Sequence, residues 1–316
     1  MNKNHVFSVI IINWNASHQL KDCIASIAQY HHNLVANVII VDNASTDDSL
    51  NQVESLQNLP FQIHIIRNAT NDGFGKACNQ GAMHATSAYL LFLNPDAALY
   101  ANTLPKALAY MQDPANAKVG ICGVQLMDEA GKVARHCARF PSVTSYLATS
   151  IGLDRLFPQL GHFMAEWDHA QTREVDHVIG AFFLVRRTVF DALQGFDERF
   201  FVYLEDLDFS YRARQAGWRS VYLAVVQAFH AGGGTSNQIK ARRLFYSLRS
   251  RLLYVFKHFT VPGAVAVALL TLLIEPLART ALALARRSWV SLIETWAGYG
   301  MLGYWLPRWI LKGETR

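Results

Sequence analysis

Cysteine is scarce in this chain, and over its last third so is acid. The four cysteines, at positions 23, 78, 122 and 137, form no C-x-x-C pair and match no zinc-site spacing. Neither a disulfide scaffold nor a structural zinc centre is expected, and the thiols read as reduced, partly buried groups of a cytosolic protein. No low-complexity tract or internal repeat is present, and at 51% apolar residues the chain can build a large core, which argues against disorder. The sequence GxxxxGKS/T does not occur, so there is no Walker-type phosphate loop. The first apolar run, Val6 to Ile12, stops at Asn13. That is the length of a strand and too short for a signal-peptide core, so no secretion signal is expected.

Acid is missing where base is dense. Residues 1–211 hold 14 Lys and Arg against 21 Asp and Glu, whereas residues 212–316 hold 15 against 3. Lys240, Arg242, Arg243, Arg249, Arg251 and Lys257 lie in a stretch with no acid at all. Such asymmetry implies an anionic partner for the basic part, either a nucleic acid or a membrane surface. The basic stretch runs into the uncharged apolar segment Val261 to Ile274 and then into "WAGYGMLGYWLPRW" (296–309). Nucleic-acid binding has no use for these, whereas cations beside apolar and aromatic residues suit an anionic bilayer surface. The 14 apolar residues, ended by Glu275-Pro276, would span about 21 Å as helix, short of a hydrocarbon core of roughly 30 Å. The expectation is a peripheral or monotopic attachment, with helices lying in or dipping into the interface, and no nucleic-acid partner.

The first hundred residues alternate two patterns. "VFSVIII" (6–12), "NVIIVD" (37–42), "FQIHII" (61–66) and "YLLFL" (89–93) are short apolar runs bounded by Asn, Asp, Pro or Gly. Helical patterns lie between them at roughly 17–30, 46–57 and 74–86. Ser45 or Thr46 is placed to cap the second, with Asp47 and Asp48 in its first turn. Apolar strands separated by helices imply an α/β fold whose parallel sheet is covered on both faces. Ligands of such sheets bind at the carboxyl ends of the strands. Here those ends are polar: Asn13-Trp14-Asn15, Asp42-Asn43, Arg67-Asn68 and Asn94-Pro95-Asp96. A helix near 103–111, strands near 119–126 and 180–187, a helix at 188–196 and a helix from Glu205 follow. Residues 140–175 form a long irregular segment, and loops of that length are usually functional or mobile.

Several residues suit chemistry. Asp96, after a proline that stiffens the turn, could hold a hard divalent cation or simply cap a helix. The glycines of "NDGFGKACNQG" (71–81) open a helix whose N-terminus could face a diphosphate. Glu205, Asp206 and Asp208 start a helix, where they favour its dipole and where a cleft carboxylate could act as general base. His230 ends an apolar run before "AGGG" and could add a nitrogen ligand, which tilts a site toward Mn²⁺.

In order and spacing, "SVIIINWN", "VDNASTD", "NDGFGKACNQG", "FLNPDA", "GAFFLVRR", "GFDERFFVYLEDLDFSYRARQAGW" and the late His230 with "AGGG" resemble the family 2 inverting glycosyltransferases of the GT-A fold. The resemblance covers roughly residues 6–258 and looks most like the rhamnosyltransferase-like branch that builds bacterial surface polysaccharides. It implies a Rossmann-like, mostly parallel sheet with flanking helices as a catalytic domain over 1–238. A basic, apolar helical region that associates with the membrane would occupy 239–316. It implies transfer of a sugar, L-rhamnose from dTDP-rhamnose, onto a lipid-linked saccharide acceptor at the cytoplasmic face of a bacterial inner membrane. UDP-sugars would fit the same contacts.

Carried over by position, Ile12, Trp14 and Asn15 would contact the nucleoside and Asp42 the base. Asn68, Gly73 and Asn79 would lie along the nucleotide and diphosphate. Asp96 and His230 would bind Mg²⁺ or Mn²⁺, Asp206 would be the catalytic base, and Gly180, Ala181 and Glu205 would border the sugar and acceptor pocket. One departure stands out: Asn94 occupies the first acid position of the family's DxD motif. A neutral carbonyl there implies weaker metal affinity and leaves a non-catalytic sugar-nucleotide-binding relative as an alternative. A nucleotidyltransferase would instead need a basic, Gly-rich loop after the first strand, where this chain has Asn13-Trp14-Asn15.

Overall fold

The four apolar runs of the first hundred residues are strands, each followed by the helix or turn that the polar punctuation predicts. The computed structural model describes residues 5–232 and 240–315. It opens with β1 (Phe7–Asn13), α1 (His18–Tyr30), β2 (Val35–Asp42), α2 (Ser49–Glu54), β3 (Gln62–Arg67), α3 (Phe74–Met83) and β4 (Tyr89–Leu93). β1 pairs in parallel with β2 and β4, and β2 with β3. Strand side chains alternate between faces, so both faces are buried. Val9, Ile11, Val38, Ile40 and Leu91 pack with Leu20 and Ile24 of α1 on one side. Ile10, Ile39, Val41, Leu90 and Phe92 pack with Ala77 and Cys78 of α3 on the other. The four cysteines are free and buried, as their spacing suggested.

α2 starts later than its sequence signals predict. Asp47 accepts hydrogen bonds from the backbone of Ser17 at 2.7 Å and of Ser49 at 3.2 Å, so it ties the turn down and stays outside the helix. After β4 come β5 (Ala97–Leu99), α4 (Thr103–Gln112), β6 (Val119–Met127), α5 (Val143–Ser150), β7 (Arg173–Val175), β8 (Phe182–Arg186), α6 (Arg187–Ala192), α7 (Glu205–Gln215) and β9 (Arg219–His230). The sheet order is β3-β2-β1-β4-β8-β6-β9-β5, with β7 on β9. The sheet is mixed, because β8 runs antiparallel to both β4 and β6. The long segment predicted as irregular contains α5, two 3₁₀ turns and β7, and it folds across the carboxyl edge of the sheet.

The predicted boundary at 238–239 lies outside the described residues. Beyond it, α8 (Lys240–His258) packs directly on the preceding fold: Leu248, Leu252 and Val255 share a cluster with Tyr146, Phe200 and Leu207. α9 (Val261–Leu269), a π-helical turn (Leu270–Ile274) and α10 (Glu275–Ala285) follow, then α11 (Trp289–Lys312). The apolar run does not stop at Glu275-Pro276, as its sequence suggests. Helix continues over Val261–Ala285, 25 residues, which by length and composition alone could cross a membrane. Two local facts permit this. Pro276 falls in the first turn after the π segment, where its missing N–H is least needed. Glu275, 2% exposed, pairs with Arg251 and Arg279.

Candidate active site

Two strand ends bring the first pair of residues together. β4 leaves the sheet at Asn94, whose backbone donates to the Ala181 carbonyl at 3.0 Å, and Pro95 holds the turn. β5 then runs antiparallel to the end of β9, with Ala97 opposite His230. Asp96 Oδ1 therefore lies 3.3 Å from His230 Nε2, and the Asn94 amide lies 3.5 Å from the same nitrogen. The sequence separates these residues by more than 130 positions, and the sheet register closes the gap.

Asp206 arrives from another direction, in the first turn of α7. The two residues before α7, Tyr203 (φ 71°) and Leu204 (φ 67°), adopt left-handed backbone, a strained conformation for side chains of that size. This turn sets the helix so that Asp206 Oδ2 accepts from the Gly180 N–H at 2.7 Å and Oδ1 from Leu207 N–H at 2.8 Å. Glu205 beside it is 4% exposed, and its Oε2 has no partner among the described residues. Burial, reinforced by the charge of Asp206, pushes the Glu205 carboxyl well above its ordinary value.

His177 completes this corner. Its Nδ1 lies 3.0 Å from Ser210 Oγ, and that hydroxyl donates its single proton to the Asp206 carbonyl at 2.9 Å. The other ring nitrogen, Nε2, lies 3.6 Å from Asp206 Oδ2. Burial lowers the affinity of the imidazole for a second proton, against the opposing pull of Asp206 and Asp176. The corner thus sets an imidazole nitrogen beside the Asp206 carboxylate at the cavity wall.

All of these groups line one cavity of about 1040 Å³. That is room for a nucleotide sugar and part of a second saccharide. Of the residues expected at the site, Ile12, Trp14, Gly73, Asn94, Asp96, Gly180, Ala181, Glu205, Asp206 and His230 line it. The structure does not bring Asn15, Asp42, Asn68 or Asn79 to its wall. The Asn15 carbonyl oxygen accepts from Thr46 N at 2.7 Å. Asp42, 4% exposed, accepts from Asn13 Nδ2 at 2.7 Å and Ser45 N at 3.1 Å. Asn68 is bonded to Asn43 and Gln80, and Asn79 to the Phe196 backbone. Asn43 takes the place at the wall next to Asp42 and donates to the Gly73 carbonyl at 3.2 Å.

Sequence reasoning missed the opposite wall. Arg135, His136, His162, Phe163 and His177 come from the stretch between β6 and β8, and Arg242 and Arg243 come from α8. The unusual length of that stretch was the available signal, and the two arginines were visible only as part of a basic run.

The residues at the β4 and β9 ends fit a divalent cation. One carboxylate, one imidazole and one amide oxygen are a suitable donor set for Mg²⁺ or Mn²⁺. Among the described residues no third His, Cys, Asp or Glu joins them, so the other positions would fall to water and to substrate oxygens.

Comparison with known proteins agrees with this geometry. The chain is 25% identical to the N-acetylglucosaminyl-diphospho-decaprenol L-rhamnosyltransferase of Mycobacterium tuberculosis over 266 residues, 79% of this chain and 84% of that one. It is 27% identical to the O-antigen chain rhamnosyltransferase WbaN of Salmonella anatum over 240 residues, 73% and 68% of the two chains. Its structure matches that of the mannosyltransferase PcManGT from Pyrobaculum calidifontis, solved with GDP-Man and Mn²⁺. The TM-score is 0.57 at 18% identity, covering 98% of this chain and 81% of that one. At that identity the likeness shows the shared fold, GT-A. The model of glycosyl transferase family 2 matches residues 8–194, more than half of the chain. Sheet, cavity and matched sequence lead to one assignment: this chain belongs to glycosyl transferase family 2.

Proposed function

We propose that this chain is an inverting glycosyltransferase that moves L-rhamnose from dTDP-rhamnose onto a lipid-linked saccharide at the cytoplasmic surface of a bacterial membrane, in surface-polysaccharide synthesis. The observation that carries the reading is that Asp96, His230 and Asp206, from three distant parts of the chain, line one cavity. The rhamnosyltransferase activities for which the mycobacterial and Salmonella relatives are named support the sugar, and the diphospho-decaprenol acceptor of the first supports the lipid diphosphate.

The donor nucleoside lies against Ile12 and Trp14, and its diphosphate follows the Gly73 turn toward Asp96. Gly73 (φ +87°) is fixed there, since a Cβ would collide with the Phe201 carbonyl. A divalent cation held by Asp96 and His230 would supply charge neutralisation to the departing diphosphate. Asp206 takes the proton of the acceptor hydroxyl as its oxygen attacks the anomeric carbon from the face opposite the leaving group. His177 Nε2, 3.6 Å from Asp206 Oδ2, orients that hydroxyl. Glu205 is buried, with its carboxyl pushed up, whereas Asp206 lies at the cavity wall beside His177, and such a difference in surroundings is how two adjacent acids take different roles.

The exposed side chains Val261, Val265, Leu269, Leu273 and Leu277 recur every four residues along one face of α9 and α10. With Trp289, Trp296 and the basic residues of α8, this face supports attachment to an anionic bilayer surface. The experiment is transfer by the full chain from dTDP-rhamnose and from UDP-sugars to a lipid-linked saccharide, with Mg²⁺ or Mn²⁺. Rhamnosyl transfer with inverted anomeric configuration is expected. Preference for a UDP-sugar would overturn the donor assignment, and absence of transfer or donor hydrolysis with every donor would overturn the enzyme assignment.

A further inference from the structure

A second cavity, of about 660 Å³, lies beside the first, and Asn71, Phe201 and Tyr246 line both. We propose that it seats the diphosphate and the first isoprenoid-like units of the lipid-linked acceptor. This rests on the glycosyltransferase reading above and adds where the lipid end of that substrate sits.

Charge is the first argument. Arg249 and Arg308 line the cavity, with Asp72 as the acid. Asp72 is already engaged by Lys76 at 2.7 Å and by the Thr70 hydroxyl at 2.8 Å, so the arginines set the sign. Arg249 is held in place by aromatic rings: its guanidinium carbon lies 5.1 Å from the Tyr246 ring centre and 5.4 Å from that of Phe201. Arg308 sits 3.8 Å over the Tyr304 ring on α11. Two arginines in an otherwise aromatic hollow recognise a compact, multiply charged oxyanion.

The apolar wall is the second argument. Phe245, Tyr246, Met301 and Trp305 complete the lining, a surface suited to a branched hydrocarbon chain. Trp305 is 4% exposed, and its Nε1 has no hydrogen-bond partner among the described residues. A Cβ at Gly300, on the same wall, would meet nothing within 4 Å, so the hollow is open along α11.

Continuity is the third. One end of the cavity opens past Tyr246 toward the catalytic cavity. Along α11 the wall continues into the exposed row Tyr304, Ile310 and Leu311, on the part of the molecule proposed to meet the bilayer. A lipid diphosphate lying here keeps its hydrocarbon with the membrane and presents its sugar to Asp206.

The test measures binding of farnesyl diphosphate to the full chain in detergent, with no donor present. Its controls are pyrophosphate alone and farnesol alone. Farnesyl diphosphate should bind more tightly than either control, and two variants should each weaken it about tenfold, Arg308→Glu by losing one charge-assisted contact and Gly300→Leu by filling the hollow. Gly300→Leu changes no charge and gains helix propensity, so a folding defect is not expected, and its thermal midpoint checks this. If farnesyl diphosphate binds both variants as well as the parent, or if dTDP displaces it competitively, the assignment is wrong. Neither result depends on whether rhamnose is the transferred sugar.

Discussion

Asp208→Asn should loosen α8 from the catalytic fold, by an amount the structure allows to be estimated. Asp208 is fully buried and takes three nitrogen partners: Arg212 Nε at 2.8 Å, His258 Nε2 at 2.6 Å and Lys257 Nζ at 2.5 Å. The last two are the closing residues of α8. Breaking a buried charge network by removing one member costs about 3–5 kcal/mol. Arg212 keeps the carbonyls of Leu193 and Gly195, at 2.7 and 2.8 Å, and Lys257 keeps Asp197 at 2.6 Å. The expected cost is therefore at the low end, about 3 kcal/mol.

For a chain of 316 residues that lowers the thermal midpoint by roughly 4–5 °C at pH 7. Burial alone would raise the Asp208 carboxyl, but the His258 hydrogen bond, then Arg212 and Lys257, hold it below its ordinary value. A depressed carboxylate stabilises the fold above its unfolded value, near pH 4, and loses that contribution as pH falls through the folded one. The gap between parent and variant should thus be full at pH 7 and shrink on acidification below about pH 4. Scanning fluorimetry across that range reads both effects. The acceptor KM should also rise in the variant, because α8 carries Arg242, Arg243 and Tyr246 to the cavity wall. Midpoints agreeing within about 1 °C at pH 7 would refute the view that Asp208 anchors α8.

Gly73→Ala should destabilise by at least about 1–2 kcal/mol for the left-handed backbone, with added cost from the Phe201 clash. It should also weaken dTDP binding measured by calorimetry. His177→Gln should lower kcat about ten- to a hundredfold while leaving donor affinity intact, and steady-state kinetics beside donor titration separates the two. The full chain should sediment with anionic vesicles. Leu273→Glu with Leu277→Glu, at positions 57% and 64% exposed, should reduce that binding at least about tenfold without a lower thermal midpoint. Equal sedimentation of parent and double variant would remove the membrane reading.

The part of the fold that the sequence makes legible is the part governed by local rules. β1, β2 and β4 are apolar on both faces, β3 alternates apolar with polar, and all four end in polar residues, so strand, sheet class and binding edge follow from one pattern. α7 is legible from Glu205, Asp206 and Asp208 at its start and Arg212 and Arg214 at its end. What escaped is set by tertiary partners. The reversed direction of β8 depends on how residues 128–180 cross the sheet edge. The seating of His177 beside Asp206 comes from that same crossing. α2 lost its first turn because Asp47 is used to hold Ser17. The helix beyond Ile274 looked broken because a lone Glu and a Pro end most helices, and the buried partner Arg251, 24 positions earlier, is invisible to a local reading. Asn15, Asp42, Asn68 and Asn79 show the converse: polar residues near a binding edge are also what knit its loops together.

The central claim is that Asp206 removes the acceptor proton within a cavity whose donor side stands without it. The most direct measurement is turnover and donor affinity of Asp206→Asn, side by side. The asparagine keeps one oxygen, for the Gly180 or the Leu207 N–H but not both, and cannot take up the proton. Donor affinity within a factor of about two of the parent, with kcat lower by at least about a hundredfold, is the predicted result. A kcat near that of the parent would contradict the account, since the proton would then be leaving by another route.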